Sequence, residues 1–396
     1  MMLAAFGDPG HAFPAIALGR ALVERGHEVC LQTWERWQEP VEREGMRFAA
    51  APVYDVFPVL GQPSLKPYQA AVRAAQDSRP AIAAFDPDVV VADILTAAAP
   101  LAAELEGRPW ATLIPHVLPT PSPGFPPYSV GARLPRTPLG RGLWRGLAPL
   151  LESGMRRGRD ELNGARARVG LPPLDHVHNG ISRRLAIVAT FPQLEYPRPP
   201  EPWVEVTGPL LWEQPFEDVE LPPGDEPLVL IAPSTSQDPE QRMLRAAVEG
   251  LAGLPVRVLA STNRRAPSRP VRIPPNARFV DWVSYARTMP PCDVVVCHAG
   301  HGTVVRALAS GTPLVACPAA GDMAENAARV AWAGAGVSLP RRLATPRGVR
   351  LAVERVLGDA RYAGRARELA DWAVRNDGGE RAAAAVETFA ARETRA

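Results

Sequence analysis

Short runs rich in β-branched and apolar residues alternate with amphipathic stretches from the first residues onward, the pattern of an α/β chain built on parallel sheets. The predicted order is strand 3–6, helix 13–25, strand 28–33 and strand 46–51, then strand 88–92, helix 94–106 and strand 109–114. That is half of a doubly wound domain. A helix over 157–169 and a strand over 185–189 complete the first half. From Leu228 the alternation restarts: strand 228–232, helix 240–251, strands 256–260, 278–281 and 293–297, helix 303–309, strand 314–317 and helix 323–334. Helices over 346–357, 360–374 and 380–391 close the chain.

Two segments break this rhythm. Between Pro115 and Gly146 proline and glycine are interspersed with Phe125, Tyr128 and Trp144, which reads as one long loop over an apolar surface. Residues 197–227 are again dense in proline and lack apolar periodicity. The expected domains are 1–200 and 227–375, joined by a linker over 201–226, with a helix over 376–396 free to pack back on the first domain. No internal sequence repeat is evident, although both halves read as Rossmann-type units.

Length and composition fit two such domains: 396 residues, 46% hydrophobic and 22% charged, lie in the globular range. Lys+Arg 44 against Asp+Glu 42 leaves a net charge of +2, and no basic run resembles a nucleic-acid tract or a polybasic membrane anchor. Proline, at 45 residues, is more than twice as frequent as usual. Cys30, Cys292, Cys297 and Cys317 lie in or beside apolar runs without a CxxC pair, so reduced, buried thiols in a cytoplasmic enzyme are expected. The first residues lack the basic and apolar regions of a signal peptide, and no run approaches the length of a membrane span.

The first predicted strand runs into Gly7-Asp8-Pro9-Gly10-His11, and the fourth is followed at once by Asp93. In an open parallel sheet ligands bind at the carboxyl ends of the strands where the order reverses. With strand order 3-2-1-4-5, Asp93 lies beside His11. A carboxylate accepting from one ring nitrogen fixes the tautomer and leaves the other nitrogen to take a proton from a hydroxyl. Each residue alone has a plainer explanation, a helix start and a helix cap; the two at adjacent strand ends are better read as a dyad.

In the second half, Asp293-Val294-Val295-Val296-Cys297-His298-Ala299-Gly300-His301-Gly302-Thr303 is a strand, a glycine-rich turn and a helix start. Unpaired N–H groups and the helix dipole make such a turn an anion site, to which His298 and Thr303 add side-chain donors. It is neither a P-loop nor a GxGxxG fingerprint. Ser234 and Thr235, after the first strand of this half, are placed to face a phosphate across the cleft. Asp86-Pro87-Asp88 resembles a metal-binding DxD but precedes its strand, at the sheet edge opposite His11, and His176 and His178 have no companion ligand. No metal and no cofactor is expected.

The residues quoted above resemble glycosyltransferase family 1 enzymes of the GT-B fold, two Rossmann-like doubly wound domains facing each other across a cleft, and particularly bacterial enzymes that decorate macrolides and polyketides. The resemblance spans nearly the whole chain. It rests on Gly10-His11-Ala12-Phe13-Pro14, on Val204-Glu205-Val206-Thr207-Gly208-Pro209, and on the block from Val280-Asp281-Trp282 through His298–Thr303 and Gly311-Thr312-Pro313-Leu314 to Asp322-Met323-Ala324-Glu325-Asn326-Ala327. It implies inverting transfer from a nucleoside-diphosphate sugar, with His11 as general base, Asp93 as its partner, and His298, Gly300, Gly302 and Thr303 at the diphosphate. It also implies Trp282 and Val283 at the base and Asp322 and Met323 at the sugar. The acceptor is expected to be a hydrophobic small molecule walled by Phe13, Trp34, Phe57, Tyr68, His116, Phe125, Tyr128 and Trp144. Met323 stands where many members have Gln, and Arg306 where users of UDP-sugars often have Glu; both argue for a dTDP-deoxysugar over UDP-glucose. A non-catalytic auxiliary protein, an epimerase and a lipid-acceptor transferase are the alternatives on this fold. A homodimer is compatible with the sequence.

Overall fold

A computed structural model describes residues 1–53, 67–175, 180–234, 238, 240–265 and 270–395. Phe57, Thr235, His176 and His178 lie outside them. The first sheet has seven strands, β1 (Met2–Ala4), β2 (Cys30–Thr33), β3 (Arg47–Ala50), β4 (Val90–Asp93), β5 (Trp110–Ile114), β6 (Ala186–Val188) and β7 (Val204–Val206), in the order β3-β2-β1-β4-β5-β6-β7. Every pairing is parallel. Helices α1 (Pro9–Glu24), α2 (Gln38–Arg43), α3 (Pro67–Phe85), α4 (Ala98–Leu105) and α5 (Pro138–Arg168) accompany it. The order reverses between β1 and β4, so the loops leaving those two strands open side by side.

The second domain repeats the plan with β8 (Leu228–Ala232), α6 (Arg242–Leu251), β9 (Arg257–Ser261), β10 (Ala277–Val280), α7 (Tyr285–Thr288), β11 (Val294–Cys297), α8 (His301–Ala309), β12 (Leu314–Ala316), α9 (Met323–Ala333) and β13 (Gly336–Ser338). Its parallel sheet runs β10-β9-β8-β11-β12-β13. The central strands β8 and β11 are buried at every position, as strands covered on both faces must be. Then follow α10 (Pro346–Leu357), α11 (Ala360–Arg375) and α12 (Gly378–Thr394). The chain is α/β with two doubly wound parallel-sheet domains, as the hydrophobic pattern requires.

Several segments depart from the sequence reading. The loop expected over 115–146 ends at Thr137, whose hydroxyl caps α5 by accepting from the Gly140 N–H at 3.2 Å. Trp144 therefore sits on a helix. This helix continues unbroken to Arg168, because the buried Arg166 fork holds Glu104 at 2.9 and 2.6 Å and donates to the Pro172 carbonyl at 2.7 Å. Within the expected linker, Val204–Val206 forms the edge strand β7 of the first sheet. Helices α2, α3 and α7 and strand β13 have no counterpart in the sequence reading.

The last helix crosses back onto the first domain. Ala382, Ala383, Val386, Phe389 and Ala390, on one face of α12, share a core with Ile16, Leu22 and Leu31. Outside that core Glu387 binds Arg25 through two contacts of 2.8 and 2.6 Å and His27 at 2.8 Å. Conversely, Val117, Phe191 and Leu194 of the first domain join the core of the second. Phe389 is only 1% exposed, so Phe389→Ala should cost about 3–5 kcal/mol through lost burial and a residual cavity. The urea midpoint measures this, and a loss below about 1 kcal/mol would mean that α12 does not hold the first domain.

Candidate active site

The β1–β4 register pairs Ala4 with Ala92 and so brings Asp93, one residue on, beside the loop that leads from β1 into α1. His11 lies in the first turn of α1, and its Nδ1 is 2.7 Å from Oδ2 of Asp93. The other carboxylate oxygen accepts the Leu95 N–H at 2.9 Å. Asp93 is buried, whereas the His11 side chain keeps 18% of its surface open. The carboxylate thus orients the ring from the protein side. Burial by itself would lower the pKa of His11. The Asp93 carboxylate, by charge and by its hydrogen bond, outweighs that with smaller help from Asp322 and Asp8, and the pKa lies above the ordinary 6.5.

Asp322, at the start of α9 in the second domain, acts on His116, His298 and His301 as well as on His11, which places its carboxylate at the meeting of the two domains. It accepts from Asn326 Nδ2 at 3.4 Å. Asn326 also donates to the Ala299 carbonyl at 3.1 Å, and its Oδ1 lies 3.3 Å from Nδ1 of His301. The glycine-rich turn and α9 are therefore tied through one amide. Burial pushes His301 down to about 4 and also lowers His298 and His116.

His298 follows β11, and its Nδ1 is 3.3 Å from the carbonyl oxygen of Ala232, on the neighbouring β8. A neutral ring that donates there presents Nε2 as an acceptor, so His298 donates to an anion only when that anion draws a second proton onto it. Gly300 makes room for this ring: a Cβ at that position would lie 2.3 Å from Nε2. Gly302 is exposed and faces open space. Thr303 is buried, and its side chain is hydrogen-bonded to Tyr285, whose phenol is pushed up to about 12 by burial. Ser234 is buried two residues beyond β8.

At the expected base pocket, Arg264 lies over Trp282 at 4.9 Å and over Phe216 at 5.5 Å. The Val283 side chain is in the core of the second domain, which leaves only its backbone for a ligand. Met323 packs on Ala299, Ala316 and Ala327. Glu213, unmarked by any sequence signal, reaches from the segment after β7 to accept from the Ser284 hydroxyl and from the N–H of Tyr285 at 3.1 Å. Arg306 is half-buried; burial lowers its pKa and Glu213 opposes that shift. It does not lie on an open helix face.

The aromatic residues expected around the acceptor separate into two groups. Phe13 is half-buried and packs between Trp37 and Trp212, with ring centroids 5.2 and 4.9 Å away, against the first domain's core. Trp34 stays near the dyad through Phe6, which meets Trp34 at 5.0 Å and His11 at 6.1 Å. Tyr68 lines a groove with Asp93, Ile94, Pro100, Trp110 and Leu162. His116 and Tyr128 stack at 5.4 Å, and Phe125 lies under Arg198 at 5.7 Å. Phe6 escaped the sequence reading because it ends a strand-like run.

All four cysteines are free and buried. Asp86 is paired with Arg108 and Asp88 is exposed, both before β4 and away from the dyad. Among the described residues no group of three or more His, Cys, Asp or Glu could hold a metal ion, and no helix is long and apolar enough to cross a membrane.

Comparison with known proteins identifies the family. The glycosyltransferase family 28 N-terminal domain matches residues 1–109, and the C-terminal domain of the erythromycin biosynthesis protein CIII-like family matches residues 246–383. The chain is 32% identical to the 4'-demethylrebeccamycin synthase of Lentzea aerocolonigenes, over 92% of its own length and 93% of that protein's. It is 29% identical to the O-mycaminosyltylonolide 6-deoxyallosyltransferase of Streptomyces fradiae over 100% of this chain and 98% of that one. The glycosyltransferase of kitacinnamycin superposes with a TM-score of 0.76 at 22% identity, covering 98% of each chain. The Streptomyces glycosyltransferase SsfS6, solved with thymidine diphosphate, superposes with a TM-score of 0.63 at 21% identity, covering 98% of this chain and 99% of that one. The chain belongs to the natural-product glycosyltransferases of the GT-B fold and is a nucleotide-sugar-dependent transferase.

Proposed function

We propose that the protein transfers a deoxysugar, with inversion, from a dTDP-sugar to a hydroxyl of a hydrophobic natural product. The observation that carries this reading is the 2.7 Å contact between His11 and the buried Asp93 at the switch of the first sheet. With Nδ1 committed to the carboxylate, Nε2 is the nitrogen left to take the acceptor's proton as its oxygen attacks the anomeric carbon. The nucleoside diphosphate departs on the opposite side, toward the Gly300–Thr303 turn, where helix N–H groups stabilise its charge without a metal. The acceptor lies against the first domain, between the groove beside Tyr68 and the stacked His116–Tyr128 pair. The protein is proposed to work in the cytoplasm.

The donor preference rests on Arg306 and Met323. A ribose diol offers two hydroxyl donors to a carboxylate, but a guanidinium carries donors only and cannot accept from them. A 2'-deoxyribose loses little at such a site. Met323 offers an apolar surface in place of a polar partner, which suits a sugar lacking a 6-hydroxyl. A relative, the 10-deoxymethynolide desosaminyltransferase of Streptomyces venezuelae, supports a deoxysugar donor.

Three outcomes are expected. His11→Ala lowers transfer about 10²–10⁴-fold while leaving dTDP affinity intact. In the unmodified protein kcat/KM rises with pH through an apparent pKa above 6.5, because the base must be deprotonated. Asp93→Asn lowers that midpoint, since burial is then opposed only by the smaller pull of Asp322 and Asp8, and lowers the rate. Transfer by His11→Ala within a few-fold of the unmodified protein would remove His11 from the mechanism. Second, activity survives excess EDTA; loss on chelation, with recovery on adding Mg²⁺ or Mn²⁺, would show that the helix N–H groups of the Gly300–Thr303 turn do not suffice. Third, dTDP competes for the site at least as well as UDP; ten-fold tighter UDP binding, about 1.4 kcal/mol, refutes the donor preference but leaves the transferase reading untouched.

A further inference from the structure

Helix α9 begins at the residues proposed to meet the sugar, Asp322 and Met323, and two turns later enters a buried ionic network shared with the first domain. Arg329 donates from Nε to Glu325 at 2.8 Å and from NH1 to the carbonyl oxygen of Leu194 at 3.0 Å. It also lies 3.5 Å from Glu195 and stacks on Tyr196 with its guanidinium 3.5 Å from the ring centroid. The Arg329 and Glu325 side chains are 4% and 3% exposed. On the far side, Glu195 accepts the Leu118 N–H at 2.6 Å, and Tyr196 packs edge-on against Phe125.

The same loop touches α9 directly. Gly131 sits at φ +67°, and a Cβ there would lie 2.6 Å from Cβ of Ala324 and 2.7 Å from its carbonyl oxygen. Its backbone N–H is also directed at Glu325. The irregular segment 115–137, which carries His116, Phe125 and Tyr128, is thus fastened at both Leu118 and Gly131 to the helix that carries Asp322.

We propose that Arg329 is a positioning residue that locks the acceptor-side loop to the sugar-side helix and keeps water from taking the acceptor's place. The proposal rests on the transferase reading above. None of these groups touches the reacting atoms. Their effect is on the relative placement of the two substrates, to which rates are steeply sensitive. A planar guanidinium serves here because one group satisfies a carboxylate, a carbonyl and an aromatic face at once.

The test compares Arg329→Gln, Gly131→Ala and, as a control, Gly253→Ala, which shares the left-handed strain but has no atom near its added Cβ. The first two should lower transfer about 10- to 100-fold, raise the fraction of donor consumed by water instead of acceptor, and leave dTDP affinity unchanged. Trypsin should cleave after the exposed Arg136 faster in both than in the unmodified protein. Gly253→Ala should match the unmodified protein in all four measurements. Normal transfer and normal partition to hydrolysis in either folded variant overturns the proposal, as does loss of dTDP binding in step with transfer in Gly131→Ala. Should Arg329→Gln fail to fold, Gly131→Ala alone decides. If the unmodified protein transfers no sugar, the transferase reading fails, and an unchanged tryptic rate in the variants still rejects the lock.

Discussion

The hydrogen bond between His11 and Asp93 is fixed by backbone register before any side chain chooses a rotamer. Asp93 ends β4 and His11 sits one turn into α1 after β1, so the two meet only while Ala4 faces Ala92. A slip of one residue along that parallel pair would turn every β4 side chain to the other face and carry Asp93 away. The apolar run Val89–Ala92, buried on both faces, prevents that slip. The reactive pair therefore draws its precision from the hydrophobic core beneath it, and the second domain repeats the device where β11 and β8 bring His298 to the Ala232 carbonyl.

Burial acts on all the histidines around Asp322, yet they divide. His116, His298 and His301 lose basicity, because desolvation disfavours the imidazolium and their nearest partners are neutral carbonyls or amides. His11 alone among them gains basicity, since its partner is a full carboxylate at 2.7 Å. One ring can thus gather a proton while its neighbours stay neutral acceptors, and environment rather than residue type assigns the roles.

The dyad was legible in the sequence because Asp93 follows an apolar run at once, His11 follows another after a short glycine- and proline-bearing turn, and the doubly wound order is nearly fixed by chain handedness. The strand-turn-helix of residues 294–309 was legible for the same reason. The first half of helix α5 was not: Gly140, Gly142 and Gly146, with prolines nearby, give its first turns poor intrinsic propensity, and the Thr137 cap starts it, while the part over 157–168, predicted from the sequence, is held by the distant Arg166–Glu104 fork. Strand β7 is three residues long at a sheet edge, too short to show a period against the surrounding prolines. The packing of Phe13 was not legible, because an aromatic residue near a site has the same letter whether it faces ligand or core, and its partners Trp37 and Trp212 lie far along the chain.

Glu213, Glu325 and Arg329 share the deeper reason for illegibility. Each is an ordinary charged residue by sequence, in a linker or on a helix, where solvation is the default expectation. Each becomes consequential only through a contact distant in sequence: Glu213 with the start of α7, Glu325 with the Gly131 N–H and Arg329 with the Leu194 carbonyl. The fold of each domain follows from local patterns, whereas the surfaces joining the domains are set by buried polar groups that must find partners in the other half of the chain. Those partners lie on the loop and helix that enclose the two substrates, so the stability of the joint and the geometry of transfer depend on the same side chains.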